Sequence, residues 1–216
     1  FTIDKSVKEN LKNYNFHKLY KEIFNFCTIE LSSFYFDIRK DVLYCDSLNS
    51  KKRKDCITVL NIILESLLKW LAPILVFTSD EIYSLIKNKE ESIHEHSFVN
   101  IPDNWENVKL NEKWIRLFKI RQVANVAIEE KRSNKEIGSS LEAEIEIIVN
   151  EKNFTLLDNI DLPEYFITSK AIKIKSKDED ELRILVAKTK GIKCPRCWKV
   201  LQGKCKRCED ILKKTD

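Results

Sequence analysis

Four cysteines near the end of the chain have the residue type and the spacing of a zinc site. They form two Cys-x-x-Cys pairs, Cys194 with Cys197 and Cys205 with Cys208, separated by seven residues. Each pair brings two sulfurs to one metal ion through a tight turn, and two pairs complete a tetrahedral shell of thiolates. Because a closed shell leaves no position for water or substrate, the pattern predicts one structural zinc ion per chain, without a catalytic role.

Two disulfide bonds or a redox-active pair are the alternative uses of these four cysteines. Three further cysteines, Cys27, Cys45 and Cys56, have no Cys-x-x-Cys partner, as expected of reduced thiols in the cytosol. The sequence contains no cleavable signal peptide and no apolar run of the ~20 residues that a membrane helix needs. We therefore expect zinc rather than disulfides, a cytoplasmic location and no membrane role.

The four cysteines lie in a strongly basic tail. Residues 188–214 include ten lysines and arginines and two acidic residues, whereas the whole chain of 216 residues has a net charge of only +4. Such a cluster favours a polyanion such as tRNA, because phosphates that are neutralised by a protein release condensed counterions. A solvated tail without a partner is the alternative.

The helical period of apolar residues predicts four main helices in the first part of the chain. They span about residues 15–38, 50–72, 78–87 and 112–132, with a loop at 89–111. We expect the first helix to be largely buried. Thr78 or Ser79 is expected to cap the third helix, with Asp80 in its first turn.

The pattern changes from helix to strand after Gly138. Alternating apolar and polar residues predict a half-exposed strand at 143–149, and a short helix follows at about 154–159. Further strands are predicted at 165–168, 171–175 and 182–187. The fold class is thus mainly α: a helical bundle at 1–134, a small mixed α/β domain at 135–190 and a four-cysteine zinc module at 191–216.

Four segments of the chain match one family in the same order. They are YNFHKLYKEIFNFCTIELSSFYFDIRKD at 14–41, KWLAPILVFTSDEIY at 69–83, KEIGSSLEAEI at 135–145 and CPRCW at 194–198. Together they resemble the C-terminal part of bacterial isoleucyl-tRNA synthetases over nearly the whole chain. One departure is the seven-residue gap between the cysteine pairs, which is shorter than is usual in the family.

The resemblance implies that the bundle binds the anticodon side of a tRNA and that the zinc-bound tail lies near the anticodon loop. The implied partners are tRNA(Ile) and the catalytic and editing domains of a class I enzyme, isoleucine-tRNA ligase, which activates isoleucine with ATP and transfers it to this tRNA. The HIGH-type and KMSKS-type signatures of the ATP site do not occur here. We therefore expect a monomeric, inactive part of a longer protein, consistent with a sequence that contains no methionine.

Five candidates for tRNA contact lie at helix ends. Arg39 and Lys40 close the first helix, where they either contact phosphate or pair with the helix dipole. Lys51, Lys52 and Arg53 open the next helix, where cations oppose the dipole and an anionic partner would remove that cost. Plain solvation of this second cluster is the alternative.

Four more candidates lie in the zinc module. Trp198 either stacks on an anticodon base or packs over the cysteine pair. Arg196 and Arg207 occupy equivalent places in the two pairs, and they either reach phosphates or offset the charge of the thiolates. Lys199 is the fourth candidate. No catalytic residue is predicted.

An acidic strand face is expected on the small domain. Glu142, Glu144 and Glu146 would repel RNA, so we expect this face to point away from the nucleic acid or towards the parent enzyme. A free-standing zinc-ribbon module that binds RNA or protein is the alternative function, and a gene remnant that folds without a function is a third possibility.

Overall fold

The computed structural model describes residues 1–87 and 91–213, except for the side chain of Lys87. The chain forms two compact units. The first comprises Phe1–Asp37 and Leu48–Glu106, and the second comprises Ile38–Ser47 and the chain from Asn107 onward. Most of the described residues are helical, and the strands form two small sheets. The mainly α fold predicted from the sequence is confirmed.

Helices α1 (Thr2–Lys12) and α2 (Phe16–Asn25) begin the first unit. A π-helical segment (Phe26–Phe36) continues α2 without a break into α3 (Asp37–Cys45), so one continuous helical stretch spans residues 16–45. The predicted helix at 15–38 was therefore too short at its C-terminal end. Helices α4 (Lys51–Leu71) and α5 (Val76–Lys87) complete the long helices of this unit.

Helix α1 was missed by the sequence analysis. Its apolar stripe consists of Ile3, Val7 and Leu11, spaced by four residues, which is narrower than the stripe of a typical core helix. The structure shows why it still folds: Val7 is fully buried in a cluster with Leu19 and Trp70. Packing against other helices stabilises a segment whose own pattern is weak.

The Trp70 side chain lies in this core, where its indole N–H is hydrogen-bonded to a carboxylate. Its indole Nε1 donates a hydrogen bond to Asp4 Oδ1 at 3.0 Å, and Lys8 Nζ donates to Asp4 Oδ2 at 2.7 Å. Asp4 is only 5% exposed. A buried charge is tolerated where it is paired and hydrogen-bonded, as it is here.

Helix starts differ from the predicted positions. Helix α5 begins at Val76 rather than near Thr78, so Thr78 and Ser79 lie within it and cap nothing. Asp80 accepts hydrogen bonds from Ser92 Oγ at 2.7 Å and from the Ile93 backbone N–H at 2.8 Å. The carboxylate that was expected to stabilise a helix end instead holds the following segment.

The predicted loop at 89–111 is shorter in the structure. Residues 88–90 lie outside the described part of the chain, two 3-10 turns occupy Ile93–Glu95 and Asp103–Trp105, and α6 begins at Val108.

The first predicted helix is less buried than expected. Phe16 and Phe24 are 43% and 52% exposed, although Leu19 is fully buried.

The second unit contains a three-stranded sheet and the long helix α6 (Val108–Ser133). Strand β1 (Ala143–Val149) lies in the middle, parallel to β2 (Lys170–Lys175) and antiparallel to β3 (Leu182–Lys188). Parallel pairing requires a crossover connection. The short helices α7 (Glu151–Leu156) and α8 (Leu162–Tyr165) lie in that connection.

One predicted strand, at 165–168, was wrong. Tyr165 ends α8 instead, because the Asp161 side chain caps this helix by accepting from the Glu164 N–H at 3.2 Å and Pro163 lies in its first turn. Both are helix-starting signals. The short helix predicted at 154–159 is present a few residues earlier, as α7.

The C-terminal part of the second unit contains three small elements. Strand β4 (Ile192–Lys193) pairs with β5 (Val200–Leu201) in an antiparallel hairpin, and α9 (Lys206–Leu212) follows. In the described part of the chain, no helix has the length and apolarity needed to cross a membrane.

We expect Asp4→Ala to destabilise the first unit by about 1–3 kcal/mol, because it leaves the buried Trp70 N–H without its acceptor. The measurement is the midpoint of denaturant unfolding followed by circular dichroism. The control is Glu9→Ala, which removes an exposed carboxylate from the same helix. Equal midpoints for the two variants would show that the Trp70–Asp4 hydrogen bond contributes nothing.

Candidate metal centre

The four cysteines of the tail converge in the structure. The sulfur atoms of Cys194, Cys197, Cys205 and Cys208 all lie within 4.8 Å of one another. The Sγ atoms of Cys197 and Cys205 are 3.8 Å apart, close to the ~3.8 Å expected between two sulfurs of a tetrahedral Zn–S site with bonds of about 2.3 Å. All seven cysteines are free thiols. The donor set and its spacing therefore fit one tetrahedral thiolate-bound metal ion.

The first pair is held in the turn between β4 and β5. The Cys194 N–H donates to the Lys199 carbonyl at 2.9 Å, and the Trp198 N–H donates to the Cys194 carbonyl at 3.0 Å. The turn places Trp198 in the left-handed region, with φ of 64°. The second pair begins at the N-cap of α9, Cys205, and ends within that helix at Cys208. A hairpin turn and a helix start thus aim four sulfurs at one point.

The surroundings of Cys194, Cys197 and Cys208 shift the pKa of these thiols. Burial alone would raise the pKa of Cys194, but the backbone N–H groups of Cys197 and Arg196 stabilise its thiolate and lower the pKa to about 7. Burial raises the pKa of Cys197 and that of Cys208. A bound cation would reverse the effect of burial, because metal binding requires the deprotonated form.

A glycine closes the hairpin that carries the first pair. Gly191 has φ of +145°, and a Cβ atom there would lie 2.2 Å from the Leu201 carbonyl oxygen. No side chain fits without displacing the backbone of β5. The neighbouring glycine in the module, Gly203, has open space around it.

Arg207, on α9, donates hydrogen bonds to two carboxylates. One belongs to Asp41 of α3, and the other to Asp46, the residue after α3. Its Nη1 and Nη2 atoms donate to the two oxygens of Asp41, each at 2.7 Å, and Nη1 also donates to Asp46 Oδ1 at 3.1 Å. Lys199 Nζ lies 3.6 Å from Asp41. Burial raises the pKa of Asp41, but the hydrogen bonds and charges of Arg207 and Lys199 lower it below its ordinary value.

Arg196 contacts the carbonyl end of α3. Its Nη1 donates to the Cys45 carbonyl at 2.6 Å and its Nη2 to the Tyr44 carbonyl at 3.0 Å. The last carbonyls of a helix have no partner within the helix and carry partial negative charge, so a guanidinium there is doubly favourable. Arg196 Nη1 also lies 3.8 Å from Cys208 Sγ, as expected of a group that offsets thiolate charge.

Trp198 is exposed over 62% of its surface. An exposed indole is available for base stacking, and that role remains a prediction. Arg39 forms an ion pair with the buried carboxylate of Glu164 at 2.7 Å, and Lys40 is exposed. Whether these residues contact tRNA also remains a prediction.

The cluster Lys51, Lys52 and Arg53 forms the first turn of α4 in the other unit. The Ser50 side chain caps this helix, accepting from the Arg53 N–H at 3.4 Å, and the first turn contains no acidic residue. Lys51 and Lys52 are exposed, and Arg53 is half-buried. Three basic residues thus lie at the positive end of the helix dipole.

The predicted acidic face is smaller than expected. Glu142 lies in a 3-10 turn before β1, where it accepts from the Gly138 N–H and from Lys193 Nζ, each at 3.0 Å. The hydrogen bond from Gly138, followed by that from Lys193, lowers the pKa of Glu142. Glu144 and Glu146 do line the outer face of the sheet, beside a shallow pocket of about 250 Å³.

The end of α3 is the part of the site that sequence reasoning missed. Asp41 and Asp46 lie 166 and 161 residues from Arg207 along the chain, and nothing in local spacing links them. The available signal was the pair of carboxylates flanking Cys45, a buried thiol beside the four cysteines. Burial, followed by the charge of Asp41, raises the pKa of Cys45 to about 11.

Comparison with known proteins identifies the family of the chain. A family model described as the anticodon-binding domain of tRNA ligase matches residues 2–147. The chain therefore belongs to this family of anticodon-binding domains. This confirms the class of protein that the resemblance predicted.

Two similar curated proteins are isoleucine–tRNA ligases. The isoleucine–tRNA ligase of Pelagibacter ubique (strain HTCC1062) is 51% identical over 210 residues, which are 97% of this chain and 23% of that protein. The isoleucine–tRNA ligase of Bartonella quintana (strain Toulouse) is 37% identical over 213 residues, 94% of this chain and 22% of that protein. The chain thus spans less than a quarter of the length of these two relatives.

We expect Gly191→Ala to disorder the β4–β5 hairpin and to lower metal affinity, because the added Cβ displaces the backbone that positions Cys194 and Cys197. Gly203→Ala is the matched control, since its Cβ meets no atom within 4 Å. The measurement is competition for Zn²⁺ with a chromophoric chelator. If the Gly191→Ala chain bound zinc as tightly as the Gly203→Ala chain, the role given to Gly191 would be wrong.

Proposed function

We propose that this chain is the anticodon-side, tRNA-binding portion of an isoleucine-tRNA ligase, stabilised at its C-terminal end by one structural zinc ion. The observation that carries the proposal is the similarity to isoleucine–tRNA ligases over 97% of the chain, which includes the cysteine module. The family match at residues 2–147 supports a role on the anticodon side.

Zinc is the metal that best fits the four thiols. Tetrahedral sites with four sulfur ligands are typical of zinc or iron–sulfur centres, and two Cys-x-x-Cys pairs on a hairpin turn and a helix start suit a single zinc ion. The ion would hold Cys194, Cys197, Cys205 and Cys208 as thiolates. All four positions of the shell would be filled, so its contribution is to folding.

The proposal assigns tRNA contacts to a basic region in each unit, taken separately. One is the start of α4, and the other is the exposed part of the cysteine module around Trp198. Lysines there would neutralise phosphates, and the indole would stack on a base. The contacts predicted from the sequence are Arg39, Lys40, Lys51, Lys52, Arg53, Arg196, Trp198, Lys199 and Arg207, of which Arg207 is already paired with Asp41 and Asp46.

The remaining parts of the proposal concern the whole enzyme. The chain would be a bundle at 1–134, a mixed α/β domain at 135–190 and a zinc module at 191–216. It would belong to a monomeric, cytoplasmic class I ligase. Its partners would be tRNA(Ile) and the catalytic and editing domains, without which it would not activate isoleucine. Its task would be to position the tRNA for chemistry carried out elsewhere in that enzyme.

The purified, reduced chain is expected to contain one zinc ion, measured by metal analysis and native mass spectrometry. Cys197→Ser is expected to lower the zinc content and to loosen residues 191–213, because it removes one of four thiolates. Cys27→Ser is the control, since Cys27 lies in the other unit. A metal-free wild-type chain with paired, oxidised thiols would exclude the zinc site.

The chain is expected to bind isoleucine tRNA in preference to other tRNAs, with an affinity that falls steeply as salt rises. Replacing Lys51, Lys52 and Arg53 together by glutamine should make the slope of log affinity against log salt shallower. The expected reduction is about 0.7–0.9 for each phosphate that these side chains neutralise in the wild type. The measurement is a filter-binding titration at several salt concentrations.

The control for this titration replaces Lys170 and Lys175 by glutamine. Both are lysines of β2 that already pair with glutamates, Glu144 and Glu151 respectively, so we expect the slope to remain unchanged. Binding that ignores both the tRNA sequence and the salt concentration would support a free-standing protein-interaction module instead.

A further inference from the structure

The guanidinium of Arg207 is paired with two carboxylates of the second unit. Three of its N–H···O bonds go to Asp41 and Asp46, and the contact with Asp41 is bidentate, with both distances at 2.7 Å. A planar, two-point pairing of this kind fixes orientation as well as distance. The side chain is 34% exposed, and its carboxylate partners are 22% and 15% exposed.

Two carboxylates offset the positive charges of Arg207 and Lys199. Arg207 and Lys199 are positive, and Asp41 and Asp46 are negative, within one contact network. A phosphate contact releases cations condensed on the RNA only if the protein offers positive charge that its own carboxylates have not already neutralised. A phosphate that replaced Asp41 would leave this partly buried carboxylate without its partner, at a cost that offsets the new contact.

The position of Arg207 in the module gives the pairing a mechanical consequence. Arg207 lies between Cys205 and Cys208 on α9, so its bonds to Asp41 attach the second cysteine pair to α3. Arg196 lies between Cys194 and Cys197 and attaches the first pair to the Tyr44 and Cys45 carbonyls. The two arginines hold both halves of the metal centre against one helix end.

We propose that Arg207 is a positioning residue, which acts through Asp41 to fix the orientation of the cysteine module and of the exposed Trp198, and which does not contact phosphate. This inference rests on the proposed tRNA-binding function. It assigns to Asp41, an acidic residue, a favourable contribution to the binding of an anionic ligand. If Arg207 contacted phosphate directly, Asp41 would instead weaken RNA binding, and removing its negative charge would raise the affinity.

The test is a double-mutant cycle with Arg207→Gln, Asp41→Asn and the double variant, all in the zinc-loaded chain. We expect each single variant to weaken tRNA binding by about tenfold, and the double variant to be no weaker than either, because one interaction is removed in all three. The slope of log affinity against log salt should remain that of the wild type. Two results together would overturn the proposal. Arg207→Gln would weaken binding and reduce the slope by about 0.7–0.9, and Asp41→Asn would bind tRNA more tightly than the wild type.

A second measurement tests the same contact without RNA. Hydrogen exchange over residues 192–213 should accelerate about tenfold in Arg207→Gln and in Asp41→Asn, again without adding up in the double variant. Lys206→Gln removes a neighbouring exposed charge on α9 and should leave exchange unchanged. Exchange that stays at the wild-type rate in both single variants would also overturn the proposal.

The two measurements separate this proposal from the function on which it rests. A wild-type chain that binds no tRNA, together with coupled exchange in the two variants, would refute the tRNA-binding function and retain the attachment of the module by Arg207. Normal tRNA binding with additive, independent effects of Arg207→Gln and Asp41→Asn would refute the positioning role alone.

Discussion

The convergence of four sulfur atoms is the constraint on which the C-terminal part of this chain depends. A hairpin of two-residue strands and a helix of seven residues cannot bury enough apolar surface to offset the conformational entropy lost on folding. The cluster at its centre consists of cysteines rather than of aliphatic side chains. Its order must therefore come from polar and ionic bonds. Outside, two arginines contact helix α3, and inside, the four cysteines form a group that could hold a metal ion.

The two arginines show how one residue type serves two purposes in a small module. A cation near buried thiolates lowers their electrostatic cost, and the same cation can bond to carboxylates and to the carbonyl end of a helix. Arg196 contacts both a helix end and a cysteine sulfur, so it illustrates both purposes. The positive charge that the sequence displays is therefore larger than the positive charge left for a ligand.

Local patterns predicted most of the fold, and the errors have identifiable causes. The strand at 143–149 was predicted correctly because one buried face leaves a clear two-residue alternation. The strand at 165–168 was wrong because Asp161 and Pro163 start a helix there, a short-range signal that outweighed apolar composition. Helix α1 was missed because its stripe is narrow, and tertiary contacts with Trp70 supply its stability.

In the candidate site, too, features set by local spacing were predicted and long-range contacts were not. The convergence of the four cysteines was predicted because two Cys-x-x-Cys pairs are visible in local spacing. The contacts of Arg196 and Arg207 were not, because spacing says nothing about a carboxylate more than a hundred residues away. Side chains that were grouped as candidates by charge alone, such as Arg39 and Lys51, differ in the structure: one is tied to Glu164 and the other is exposed.

The backbone at Trp198 has a thermodynamic implication. A left-handed conformation is unfavourable for a bulky residue, whereas glycine or asparagine adopts it at little cost. Conformational energy alone would thus place a small residue directly after the second cysteine. The indole there instead leaves most of its ring in water, which gains little burial energy. In the isolated chain Trp198 therefore lowers stability in two ways: its backbone is left-handed, and its exposed indole gains little from burial.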